Sequence, residues 1–214
     1  MGQAIEQLAR DRGFEVVARL GRAEPISAAT LNGADVAIEF TRPDAAPDNA
    51  RAVVAAGCPV VVGTTGWNGK RADVEEFVRQ KQGAMLVAPN FSPGVAAFAE
   101  IVKAAARTLR RMPGFDVHIV ETHHAAKKDA PSGTAVSLEA VGAALWGANI
   151  PITSVRMGSV PGTHEFVFDA PFEQIRLVHT ARDRRVFAEG ALHAARWIVG
   201  KTGVFTMMDV LGAK

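Results

Sequence analysis

Apolar residues in this chain fall into two alternating kinds of run: short β-branched clusters, and longer stretches with a helical repeat. Ala4, Ile5, Leu8 and Ala9 share one face of a helix over residues 2–12, which Gly13 ends. Phe14 to Leu20 reads as a strand that closes at Gly21-Arg22. After a polar connector, Val36 to Phe40 reads as another strand, and Thr41-Arg42-Pro43 breaks it before a helix running to Ala56. Pro59 to Val62 is a third strand, closed by Gly63-Thr64-Thr65-Gly66. A helix over Asp73 to Gln80 and a strand at Met85 to Val87 follow. Short buried strands separated by single helices predict a parallel, doubly wound α/β sheet.

The second half has another rhythm. Residues 94–111 predict an amphipathic helix through Ala96, Phe98, Ile101, Val102 and Ala105. Val117 to Val120 predicts a strand, and a helix is expected from Ala135 to Trp146. Alternation at Ser154 to Met157, Glu165 to Phe168 and Gln174 to Val178 predicts a mixed or antiparallel sheet, with turns at Pro161-Gly162 and Ala170-Pro171. A long helix from Arg184 to Val199 and a short one from Phe205 to Leu211 close the chain. The expected division is a dinucleotide-binding domain over 1–90, completed by 184–214, and an α+β substrate domain over 91–183.

Composition narrows the classes. With 48% hydrophobic and 21% charged residues, the chain has the balance of a soluble globular protein. A net charge of +2 is too small to argue for nucleic acid and suits a mildly basic pocket for an acidic metabolite. The single Cys58 excludes an internal disulfide and fits a reducing cytoplasm. No leader pattern opens the chain and no apolar run approaches a membrane span.

Candidate chemistry concentrates in Glu121-Thr122-His123-His124-Ala125-Ala126-Lys127-Lys128-Asp129-Ala130-Pro131-Ser132-Gly133-Thr134-Ala135. A strand end, two imidazoles, two ammonium groups and a helix start lie together. The N–H groups of Gly133 and Thr134 would face an anion, aided by the helix dipole. A near-neutral pKa beside a movable ammonium suits proton transfer to a carboxylate-bearing substrate. Taken singly, each piece also has an ordinary structural reading, as a core histidine, a solvated lysine loop or a helix cap. A metal site at His123 and His124 is not expected, because neighbouring side chains on an extended strand point apart. His164, next to Pro161-Gly162-Thr163, is a candidate neighbour of the pocket; His118, His179 and His193 read as structural.

The stretch matches E-x-H-H-x-x-K-x-D-A-P-S-G-T-A and so resembles the signature of the 4-hydroxy-tetrahydrodipicolinate reductase (dihydrodipicolinate reductase) family of diaminopimelate and lysine synthesis. The family's F-T-R-P, G-T-T-G and A-x-N-F segments are also present, in order. The resemblance implies a cytoplasmic homotetramer that reduces a small dicarboxylate with NADH or NADPH. It implies His123 as acid/base, Lys127 as proton donor, and His124, Gly133 and Thr134 as substrate ligands. It places Arg42 near the adenine and Gly63, Thr64, Thr65, Ala88, Pro89, Asn90 and Phe91 at the nicotinamide side, with no metal.

The pattern is broken in two places. Met1-Gly2 match only the last letters of the family's G-x-x-G-x-M-G loop, so Gly2 alone stands for the pyrophosphate cradle and a first central strand is missing from the expected sheet. Such a sheet would leave backbone groups unpaired, and weak nucleotide binding or instability is expected of this chain. After Leu20, Gly21-Arg22 replaces the acidic residue that grips ribose hydroxyls, which leans the preference to NADPH. Two rival readings are a different two-domain amino- or keto-acid reductase and a non-catalytic oligomerisation module.

Overall fold

Val60, Val61 and Val62 are fully shielded from water, as a strand must be when helices cover both faces of its sheet. They form β2 (Val60–Val62) of a parallel sheet ordered β1-β2-β3-β8, where β1 is Ala37–Glu39, β3 is Ala84–Val87 and β8 is Gly203–Phe205. Because side chains alternate along a strand, Val61 and Leu86 enter one core with Ile5, Ala188 and Ala191. Val60, Val62, Met85 and Val87 enter the opposite core with Ala50, Val53, Val74 and Val78. The computed structural model describes residues 1–212. The first core is closed by helices α1 (Gly2–Ala9) and α7 (Arg185–Ile198), the second by α3 (Ala46–Ala55) and α4 (Arg71–Gln80). A short α2 (Ala28–Leu31), with its own Ser27–Thr30 capping box, lies within the connector that read only as polar.

Two expectations need correction here. Phe14 to Leu20 forms no strand, because no described strand lies beside it to accept a ladder. It keeps the burial alternation of a strand, with Phe14, Val16, Ala18 and Leu20 half-buried and the residues between them exposed. Conversely, β8 pairs parallel with β3, Met85 opposite Val204, in a stretch that carried no strand signal beyond three residues.

Contacts divide the chain into a unit of Met1–Pro93 with the segment from Arg185, and a second unit of Gly94–Arg184. The second unit holds α5 (Pro93–Leu109), β4 (Asp116–His123), α6 (Gly133–Trp146), β5 (Ile152–Arg156), β6 (Thr163–Ala170) and β7 (Glu173–Thr180). Its mixed sheet is ordered β5-β4-β6-β7, parallel only between β4 and β5. Phe98 and Val102 of α5 and Leu138 of α6 pack on Val117, Ile119, Phe166 and Phe168. A final short helix, α8 (Met207–Val210), returns to the first unit's core through Met207 and Val210. No helix of the described residues is long and apolar enough to cross a membrane.

Candidate active site

The period of two that buries Val117 and Ile119 of β4 carries the same face on to Glu121 and His123. That face therefore runs from greasy to ionisable along a single strand. Register supplies the neighbours: His164 of β6 lies opposite Glu121, and Arg156 of β5 lies opposite His123. On β6, His164 shares its face with Phe166 and Phe168 and is 4% exposed.

Glu121 is the centre of the cluster, with no exposed surface. One carboxylate oxygen contacts Nδ1 of His123. The other accepts from Arg156 Nη2 at 2.7 Å and from the Ser132 N–H at 3.3 Å. Burial pushes this carboxyl up, but hydrogen bonds from Arg156, Ser154 and His123 outweigh it and hold it at about 2. Burial lowers His123 against the pull of Glu121, and the Lys127 and Arg156 charges lower it further, so the resting imidazole is neutral. Burial, reinforced by the neighbouring His123, holds His164 at about 4. The two imidazoles meet edge-on at 5.2 Å.

Beyond His123 the chain leaves the sheet and returns at α6. Ser132 caps that helix by accepting the Ala135 N–H at 3.1 Å, and its hydroxyl also meets His164 Nε2 at 3.2 Å. Gly133 and Thr134 are thus the first residues of a 14-residue helix, with Gly133 exposed. Lys127, on the connecting segment, donates to both oxygens of Asp129 at 2.7 and 2.8 Å. His124 is half-buried in the same segment, and its carbonyl accepts from the Lys127 N–H at 3.1 Å.

The predicted substrate-side residues therefore share one strand–loop–helix unit. The cluster also contains Glu121, Arg156, Ser132 and Gly162, none of which the sequence reading made a site residue, Ser132 being read as part of a helix cap and Gly162 as part of a turn. Glu121 could have been found by parity, since E-T-H puts it on the core face of its strand, while His164, the candidate neighbour of the pocket, lies with its ring 5.2 Å from that of His123. Nothing local marked Arg156, which arrives only through strand register.

Glu121, His123 and His164 present nitrogen and oxygen donors within 4.8 Å of one another, a spacing a metal ion could use. The Arg156 guanidinium already occupies one oxygen of that carboxylate, and a second cation there would face its full charge.

The residues expected on the cofactor side lie in the first unit, and Arg42, Gly63 to Thr65 and Ala88 to Phe91 follow the carboxyl ends of β1, β2 and β3. Gly63 follows β2 so closely that a Cβ there would stand 2.1 Å from Phe40. Thr64 is buried and accepts the Thr41 N–H at 2.7 Å, while Thr65 is exposed. Ala88 is buried, Pro89 is exposed, and Phe91 packs against Phe40 with centroids 5.6 Å apart. Asn90 Oδ1 accepts the Ser92 N–H. Arg42 is paired with Asp44 at 2.6 Å, Arg22 lies in an exposed turn, and Gly2 opens α1 in the open. At this edge Glu39 is buried with one oxygen, Oε2, unpartnered. Small residues and the unpartnered Glu39 oxygen fit the hydroxyls and carboxamide of a nicotinamide nucleotide.

Comparison with known proteins places both units. Residues 1–91 match the family model for the dihydrodipicolinate reductase N-terminus, and residues 94–211 match the model for its C-terminus. A 4-hydroxy-tetrahydrodipicolinate reductase of Christiangramia forsetii is 38% identical over 99% of this chain and 93% of its own length. One from Methanosarcina mazei is 41% identical over 84% of this chain and 73% of its own. Among solved structures, a dipicolinate-bound dihydrodipicolinate reductase from Paenisporosarcina sp. TG-14 superposes with a TM-score of 0.80. At 19% identity, covering 97% of this chain and 94% of the other, it shows the likeness of fold.

Proposed function

Because the chain belongs to the dihydrodipicolinate reductase family, we propose that it reduces 4-hydroxy-tetrahydrodipicolinate, through the dehydrated cyclic imine, to tetrahydrodipicolinate with NAD(P)H. The step belongs to diaminopimelate and lysine biosynthesis. The observation that carries the reading is the Glu121–His123–Ser132 cluster, which joins an ionisable pair directly to a helix start able to hold a carboxylate.

Reduced nicotinamide supplies the hydride when bound. Arg42, Gly63 to Thr65 and Ala88 to Phe91 hold the nucleotide, with the exposed Arg22 favouring NADPH over NADH through a 2′-phosphate. The Gly133 and Thr134 N–H groups hold one substrate carboxylate, and His124 contributes to the same recognition. A dicarboxylate entering here competes with Asp129 for the Lys127 ammonium, freeing that group to face the ring. Once hydride has been added, the ring carries electron density that Lys127 neutralises with a proton. His123, neutral at rest, accepts through Nε2 and becomes an acid when substrate charge raises its proton affinity.

Val120 and Val178 lie on the sheet face opposite Phe166 and Phe168, with Val178 56% exposed. That face, where the Glu165–Arg176 pair lies beside the valines, supports assembly of copies into a homotetramer. The compartment is the cytoplasm, where the lysine pathway and a reduced Cys58 belong.

The test is substrate-dependent oxidation of NADPH and of NADH, paired with calorimetric binding of each nucleotide. Turnover with tighter NADPH binding is expected. Nucleotide binding without turnover of this substrate would favour another amino- or keto-acid reductase; no binding of either would favour a non-catalytic module.

A further inference from the structure

Glu121 makes one contact more than a structural ion pair requires. Pairing with Arg156 engages a single oxygen, which the Ser132 N–H shares. The other oxygen contacts Nδ1 of His123. A carboxylate only accepts, so the neutral imidazole must carry its proton on Nδ1 and present a bare lone pair at Nε2. Gly162 lies before Nε2, and only its missing side chain leaves room there.

We propose that Glu121 is the positioning residue of this site: its buried carboxylate fixes His123 in the Nδ1–H tautomer and ties that ring to the Ser132 turn that starts the carboxylate-binding helix. The inference rests on His123 being the acid/base group of the reaction proposed above. The charged and titratable groups facing that imidazole are Glu121 on its own strand, Arg156 on β5, His164 on β6 and Lys127 on the loop. Glu121 and Arg156 cancel, as do Lys127 and Asp129, so the resting cluster is balanced only while both imidazoles are neutral. A dianionic substrate shifts that balance, and the proton it draws in lands on Nε2, with the imidazolium then held by Glu121.

The experiment is ¹⁵N NMR of histidine-labelled full-length chain at mildly alkaline pH, for the wild type and Glu121→Gln, with kcat, KM and pH profiles for both. The expected wild-type spectrum shows His123 protonated at Nδ1. Glu121→Gln is expected to lose that preference, with kcat reduced on the order of 100-fold or more. The kinetic limb due to His123 moves to lower pH, because the carboxylate that favours imidazolium is gone, while nucleotide affinity is unchanged. An Nε2–H tautomer in the wild type overturns the proposal whether or not the variant folds. So does a folded variant with an unchanged tautomer and pH profile. Wild-type Nδ1–H in a chain that does not turn over the substrate would sink the catalytic reading while leaving the positioning role intact.

Discussion

A Cβ added to Gly162 would stand 3.0 Å from Nε2 of His123, the separation of a hydrogen-bonded ligand atom. The bare backbone at 162 therefore reserves the place from which Nε2 is reached. Its φ of +153° is a conformation that side chains rarely adopt, so the position selects glycine twice over. Gly162→Ala should lower kcat/KM at least tenfold and cost about 1–3 kcal/mol of stability from backbone strain. Steady-state kinetics with thermal melts would check it; an unimpaired, equally stable variant would contradict the arrangement.

Lys127→Ala should reduce kcat by about 10²–10⁴ while leaving nucleotide binding within roughly twofold. Lys127→Arg keeps the charge but not the readily shared proton, and should recover substrate binding more than turnover. Calorimetry with each nucleotide alongside initial rates separates the two effects. Equal losses in both would remove Lys127 from the chemistry.

Acid should weaken the second unit in two windows. His164 is neutral when folded, with burial and the neighbouring His123 holding it at about 4. The unfolded chain binds the extra proton first, so stability falls as pH drops from about 6.5 toward 4, by roughly 3 kcal/mol in all. Glu121, held at about 2, adds stability that is present above about 4.3 and is lost as pH falls through its folded value. His164→Gln should make the upper window shallower, where His123 and His179 are lowered too, and leave the lower one as it is. Urea midpoints across that pH range would show it, and an unchanged slope in the variant would refute the assignment.

Gly63→Ala tests the other unit. Its new methyl would lie 2.1 Å from the Phe40 ring, which must then turn against Phe91. A loss of about 1–3 kcal/mol is expected, together with weaker nucleotide binding. Wild-type affinity in a destabilised variant would separate the loop from the nucleotide site.

Much of this was legible from pattern alone. Val60 to Val62 announced a two-faced strand because three adjacent β-branched residues have no polar side to show water. Glu121 to Thr134 announced chemistry because ionisable groups met a helix cap. Phe14 to Leu20 misled for a physical reason: alternation reports which side chains are covered, whereas a strand also needs a partner backbone. Arg156 was invisible because it reaches Glu121 across a parallel pairing, and register between distant strands leaves no local trace. The brief β8 is fixed by its neighbour β3 and shows too few residues to declare a period.

The segment from 124 to 131 is tied to the strands beside it through its backbone. The Ala125 N–H donates to the Gly158 carbonyl at 3.1 Å, Arg156 grips the Asp129 carbonyl at 2.6 Å, and the Ser132 N–H returns to Glu121. The mount is thus separate from what it carries. Ala125, Ala126 and Lys128, all exposed, can change identity while the imidazole and the helix start stay in place. This makes the segment an exchangeable cassette, where a few substitutions can redraw which acids are admitted without rebuilding the machinery beneath.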